Sequence, residues 1–215
     1  MSYPEYWSFF GGDVVQQFGE HFAIVLLATL LGSIVGVSTG VAVYRSPRAS
    51  AVAIKISGVL LTIPSLAMYV LLLGLIGLGW PPVLVALTLY SLLPIVQNTI
   101  VGLRGVDAAT VEAATAIGMN RRRRLIRVEL PMAWPIILTG VRVGALLLVS
   151  TATIGAIVRG PGLGGLIYDG LNTIGTPSAL YSVLTGIVGV AIVGLVLHFA
   201  FIALARLSIS RGLRD

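Results

Sequence analysis

Uncharged runs long enough to cross a lipid bilayer recur along the chain, separated by short polar stretches. Phe22 to Tyr44 holds 23 residues without a charge, about 35 Å as a helix against a hydrocarbon core of about 30 Å. Ile56 to Leu103 is uncharged over 48 residues but is broken by Gly77, Gly79, Pro81 and Pro82, which predicts two helices joined by a tight turn. Pro135 to Val158, interrupted only by Arg142, and Leu180 to Ala205 follow. The pattern predicts an all-α, polytopic membrane protein with five transmembrane helices over 22–44, 56–77, 82–103, 135–158 and 180–205, forming one domain over residues 1–215. A signal peptide is the rival reading of the first run, but it needs a basic segment ahead of a shorter apolar one. Here Glu5, Asp13 and Glu20 precede the run, with no Lys or Arg.

Composition supports this picture. Of 215 residues 57% are hydrophobic and 10% charged, and the mean hydropathy is +1.01. Soluble domains carry about 25% charged residues, so lipid must be the solvent for most of this surface. Without cysteine there is no disulfide, zinc-thiolate or cysteine-nucleophile chemistry. His21 and His198 lie far apart and form no helical metal pair.

The distribution of positive charge sets the orientation. An external N-terminus and a cytoplasmic C-terminus place Arg45, Arg48, Lys55, Arg104, Arg121, Arg122, Arg123, Arg124, Arg127, Arg206, Arg211 and Arg214 in or beside cytoplasmic loops, and leave Arg159 outside. The net charge of +6 therefore reports orientation and attraction to anionic lipid; no nucleic-acid-binding module is visible. Gly32, Gly36 and Gly40 recur every four residues, as do Gly186, Val190 and Gly194, a spacing that packs membrane helices within a chain or at a subunit or gating interface. Pro64 and Pro94 lie inside apolar runs and are expected to kink or interrupt helices beside a cavity. With Tyr69, Tyr90 and Asn98 they are the residues expected to border a solute path.

The longest polar stretch, Arg104 to Trp134, carries the most specific pattern. Asp107 reads as an N-cap, Ala108 to Ile117 as a short helix and Gly118 as its stop. Small side chains beside Glu112 suit a helix that presses into a partner's groove. The stretch EAATAIGMNRRRRLIRVELP resembles the EAA loop of ATP-binding cassette importer permeases: Glu-Ala-Ala, three residues, Gly, nine residues, Ile, one residue, Leu-Pro. Glu112, Ala113, Ala114, Gly118, Leu130 and Pro131 fall at that spacing, and Val128 replaces the Ile. The segments at Thr62 to Gly79, Leu89 to Leu103 and Glu129 to Gly144 are similar to permeases for glycine betaine, carnitine and choline. One departure is RGPGLGG, where Arg159 and Pro161 stand in place of smaller residues.

The resemblance implies a bacterial inner-membrane permease of an osmoprotectant importer, with a coupling loop over 107–131 seated on an ATP-binding subunit. It further implies a second permease subunit, identical or paralogous, and an external solute-binding protein. ATP and Mg would sit on the ATPase, and this chain would hold no cofactor. Permeases for amino acids or other zwitterions share the pattern, and an ATP-independent carrier or channel is the alternative of another class. No Asp or Glu lies inside any expected span, which weighs against ion coupling. Lys55 is flanked by Ile54 and Ile56, so it makes no P-loop. GPGLGG matches the dinucleotide fingerprint only formally, since it follows an apolar run rather than a strand. For Arg121 to Arg124 and Arg127 the readings are lipid headgroups or acidic groups on the ATPase, and for Arg142 snorkelling or gating.

Overall fold

A computed structural model describes residues 2–208; the expected cytoplasmic residues Arg211 and Arg214 lie outside them. Among the described residues the chain is helical without strands. It runs through α1 (Tyr3–Val43), α2 (Pro47–Thr62), α3 (Ser65–Ile76), α4 (Trp80–Arg104), α5 (Ala108–Ala116) and α6 (Arg121–Arg124). A π turn (Leu125–Glu129) leads into α7 (Leu130–Ile154), a 3-10 turn (Gly155–Val158) closes it, and α8 (Gly164–Asn172) and α9 (Ala179–Ser208) follow.

Four helical stretches are long and apolar enough to cross a membrane, Tyr3–Val43, Trp80–Arg104, Arg121–Val158 and Ala179–Ser208, and the pair α2 and α3, bent by 94°, makes a fifth if it counts as one span. The span expected over 56–77 is thus two pieces, interrupted at Pro64 as its proline predicts, and it begins earlier, at Pro47. Pro64 supplies no backbone N–H and drives Ile63 into an extended conformation, at φ −66° and ψ 124°. α1 is also much longer than the uncharged run: its 41 residues span about 60 Å. Asp13 and Glu20 do not interrupt it, because helical hydrogen bonding is indifferent to side-chain polarity. Its first turns are held by an aromatic cluster in which Tyr6, fully buried, lies 5.1 Å from Phe10 and 6.0 Å from Tyr181 of α9, between ring centroids.

The core is a layered contact of α1, α4 and α7, with α4 in the middle. The glycines of α1 bring the first pair together: a Cβ on Gly36 would lie 2.7 Å from Ile95 Cγ2, and one on Gly40 would lie 2.6 Å from Thr99 Cβ. The first glycine row is therefore packing within the chain. Gly140 does the same for α7, lying against Asn98 and the Pro94 carbonyl, while α4 remains helical through Pro94. In α9 Gly186 admits Ile167 and Leu163, whereas Gly194 has only a loose contact, 3.9 Å from Val149 Cγ1. Only 11% of the most apolar stretch of α9 is buried, so this helix is an outer one.

Two contacts fix the ends of the bundle. Arg104 Nε donates to the Tyr44 carbonyl at 2.7 Å, joining the ends of α1 and α4. Gly79 N donates to the Val158 carbonyl at 2.9 Å, joining the start of α4 to the end of α7. The bent pair α2 and α3 therefore carries the chain from one end of the bundle to the other.

Candidate functional site

The stretch at 107–131 is built by local signals. Asp107 Oδ1 accepts from Ala109 N at 3.3 Å, capping α5. At the other end Gly118 takes φ +85°; Gly118 N donates to Thr115 O at 2.9 Å and Met119 N to Ala114 O at 3.1 Å. That pair of bonds is a Schellman motif, whose left-handed residue favours glycine, and it accounts for the glycine of the EAA pattern. Ala109, Glu112, Ala113 and Ala116, spaced i, i+3, i+4 and i+7, are all exposed and share one helix face. This face is a carboxylate set among methyl groups. Ala114 points the other way and is buried. Leu130, half-buried, packs against the lower apolar cluster of Tyr44, Val96 and Ala133, and Pro131 opens α7. Within a regular α-helix Pro131 would collide with the carbonyl of residue 127; the wider π turn just before it relieves this, with Leu130 N donating to Leu125 O.

Glu129, at the end of that π turn, is 4% exposed. It accepts from Tyr44 Oη at 2.5 Å, from Arg124 Nε at 2.8 Å and from Arg45 Nη2 at 3.3 Å. Burial pushes its carboxyl upward, but the hydrogen bonds from Tyr44 and Arg124 and the charges of Arg45 and Arg124 outweigh this and hold it below its ordinary value. Arg124 also donates from Nη1 to Thr115 Oγ1 of α5 at 2.7 Å. Arg124 is thus turned toward Glu129 and Thr115, whereas Arg121, Arg122, Arg123 and Arg127 are exposed. The sequence reading missed Glu129 because it lies in a polar loop beside five arginines, where a lone acid reads as surface charge.

The second region is the break between α2 and α3. Tyr90 Oη of α4 donates to the Ile63 carbonyl freed by the break, at 3.0 Å, and Tyr69 Oη of α3 donates to the Thr151 carbonyl of α7, also at 3.0 Å. A cavity of about 250 Å³ opens here, lined by Thr62, Pro64, Ser65, Tyr90, Leu147 and Thr151 among others. Of the five residues expected along the path, Pro64 and Tyr90 line this cavity, and Tyr69 is tied to it only through its bond to Thr151. Pro94 and Asn98 lie elsewhere: Asn98 Nδ2 donates to the Pro94 carbonyl at 2.8 Å, and both press on Gly140. Arg142 of α7 has a partner that neither reading named, its Nη2 lying 3.1 and 3.2 Å from the ring nitrogens of His198 in α9. The glycine-rich GPGLGG stretch forms a turn with Gly162 at φ +104° leading into α8.

Among the described residues no group of His, Asp or Glu is arranged to hold a metal. Residues 28–208 match the family described as binding-protein-dependent transport system inner membrane component. The chain is 35% identical, over 95% of its length and 92% of the relative's, to the glycine betaine/carnitine/choline transport system permease protein OpuCB of Bacillus subtilis. It is 38% identical to the osmoprotectant import permease protein OsmY of Salmonella typhimurium, over 74% of this chain and 68% of the relative. Its fold matches a chain of the MetNI methionine ABC transporter in an inward-facing conformation, with a TM-score of 0.80 over 98% of this chain and all of the other at 22% identity.

Proposed function

Since the chain belongs to the family of inner membrane components of binding-protein-dependent transport systems, we propose that it is the permease subunit of an ATP-driven importer for osmoprotectants of the glycine betaine, carnitine and choline type. The observation that carries this is similarity over 75–95% of the chain to permeases named for those solutes. The methionine transporter shares the fold, but at 22% identity it has no bearing on the solute. As a multi-pass protein of the bacterial inner membrane, the chain has its N-terminus outside and its arginine-rich end in the cytoplasm, as the positive-inside rule requires.

In this reading α5 is the coupling helix. Its exposed face of Ala109, Glu112, Ala113 and Ala116 seats in a cleft of an ATP-binding subunit, where small side chains let the backbone approach and Glu112 supplies a charged contact. Gly118 ends the helix, and Leu130 and Pro131 anchor the loop to α7. Two permease subunits, each on its own ATPase, alternate between inward-open and outward-open states as the ATPases close and part, and ATP and Mg stay on those partners. The cavity at the α2–α3 break gives the solute hydroxyls from Thr62, Ser65 and Tyr90 and one aromatic face. Only 7% of the chain is aromatic, so tight selection falls to an external solute-binding protein.

The test is purification of the tagged chain in mild detergent with mass spectrometry of its partners. An ATPase and a binding protein that takes glycine betaine, choline or carnitine are expected. Recovery of the chain alone, still moving solute in ATP-free liposomes, overturns the proposal.

A further inference from the structure

Helix α5 is flanked by two side chains that reach the same place. Before it, Arg104 at the end of α4 donates to the Tyr44 carbonyl from Nε at 2.7 Å and to Ser50 Oγ from Nη2 at 2.8 Å. After it, Glu129 accepts from Tyr44 Oη and from Arg45. Ser50 Oγ in turn donates to the Val43 carbonyl at 2.8 Å. The corner between α1 and α2 is therefore clamped from both sides of α5. Glu129 has one further link: Arg124, which it binds at 2.8 Å, holds Thr115 of α5 at 2.7 Å. A continuous chain of polar contacts thus runs from Thr115 in the helix, through Arg124 and Glu129, to Tyr44 and Arg45.

We infer that Glu129 is a positioning residue for energy coupling, transmitting displacement of α5 to the α1–α2 corner and so to the broken span whose cavity borders the solute path. Apolar packing alone does not provide this connection. Ala114 is the one buried residue of α5, and a single methyl group gives little resistance to sliding. A carboxylate with both oxygens occupied is stiffer: Oε1 receives the two arginines and Oε2 the tyrosine. Charge-assisted hydrogen bonds of this kind are the strong and directional ones. Their setting in a π turn fits as well, since such turns inside helices are frequent at functional positions. α2 begins at Pro47, just past the clamped corner, and ends at the break, so a rotation imposed on the corner is delivered to Thr62 and Pro64.

This inference rests on the importer reading above, and the experiment separates the two. The complex of permease, ATPase and binding protein is reconstituted in liposomes, and glycine betaine uptake and ATP hydrolysis are measured together. The wild-type complex must show hydrolysis stimulated by loaded binding protein; if it does not, the importer reading fails before any variant is compared. With a coupled wild type, Glu129→Ala is expected to lower glycine betaine moved per ATP hydrolysed at least tenfold while still co-purifying with the ATPase, and Glu129→Asp is expected to recover part of the ratio. A purely structural role would lower uptake and hydrolysis together and leave their ratio alone. Tyr44→Phe and Thr115→Val each remove one link without unpairing a charge, and each is expected to lower the ratio by a smaller factor. They decide the matter if Glu129→Ala does not assemble. An unchanged ratio in every assembled variant overturns the inference.

Discussion

A Cβ added to Gly40 would stand 2.6 Å from the Cβ of Thr99, and the same relation repeats up the helix pair, with Gly36 against Ile95 and Gly32 against Ser91. Both members of each pair recur every four residues, so the two helices meet along matched ridges. Gly36→Val is therefore expected to destabilise the folded chain by about 1–3 kcal/mol through overpacking. Leu30→Ala on the outer side of α1, where Leu30 is 56% exposed, should change it by less than about 0.5 kcal/mol. Thermal unfolding in detergent checks this, and equal stability of the two variants would mean that the glycine row packs elsewhere.

The spacing of those glycines was legible in the sequence, but their partner was not, because a four-residue repeat states that something packs closely without saying what. The long apolar helices were likewise legible, since hydropathy reports solvent. Pro64 marked where the run at 56–77 is interrupted, but a proline fixes the place of a bend and not its size, and the 94° angle leaves no mark in composition. Charge misleads in the other direction at Asp13 and Glu20, which end an uncharged run without ending a helix. Helix α5 was the most readable part because its cap and stop are local. Glu129 escaped because its meaning depends on Tyr44, 85 residues away.

The cavity at the break predicts an effect on solute affinity. Tyr90→Phe removes the hydrogen bond to the Ile63 carbonyl, worth about 0.5–1.5 kcal/mol, and leaves that carbonyl without its donor. Initial-rate uptake should show a raised KM, with the amount of protein in the membrane unchanged. An unaltered KM would place the solute path away from this break.

On α5 the two motif alanines should behave differently. Ala113 is exposed and Ala114 buried. Ala113→Trp is expected to cut ATPase co-purification more than tenfold, with thermal stability unchanged. Ala114→Leu should instead lower stability by about 1–3 kcal/mol. Gly118→Ala carries a left-handed penalty of about 1–2 kcal/mol, because Gly118 sits at φ +85°. Co-purification yield and unfolding temperature, measured on the same preparations, separate the three.

The Glu129 cluster predicts loss of stability in acid. Its carboxyl is held below its ordinary value by Tyr44, Arg124 and Arg45 despite burial. A group depressed in the folded state contributes fully above its unfolded pKa, about 4.3, and the contribution fades as pH falls through the folded value. Wild-type protein should therefore keep this contribution at pH 5 and lose it progressively below about pH 4.3. Glu129→Gln should be less stable at neutral pH and lack that component. The unfolding temperature of both across this range is the measurement, and parallel curves would contradict the assignment.

The number of crossings is testable because the chain has no cysteine, so each introduced thiol reports alone. Ends of α1 and α4 meet through Tyr44 and Arg104, and the start of α4 meets the end of α7 through Gly79 and Val158; the bent pair between them must then traverse the bundle. With five crossings, Ser8→Cys and Ile174→Cys lie on one side of the membrane and Arg122→Cys on the other. If the bent pair instead returned to its own side, leaving four crossings, Ser8 and Arg122 would share a side and Ile174 would be opposite. Labelling of intact cells with a membrane-impermeant maleimide is expected to modify Ser8→Cys and Ile174→Cys and spare Arg122→Cys. The pattern matters beyond topology: only a full crossing puts the α2–α3 break, with Thr62 and Pro64, partway along a route between the two aqueous phases.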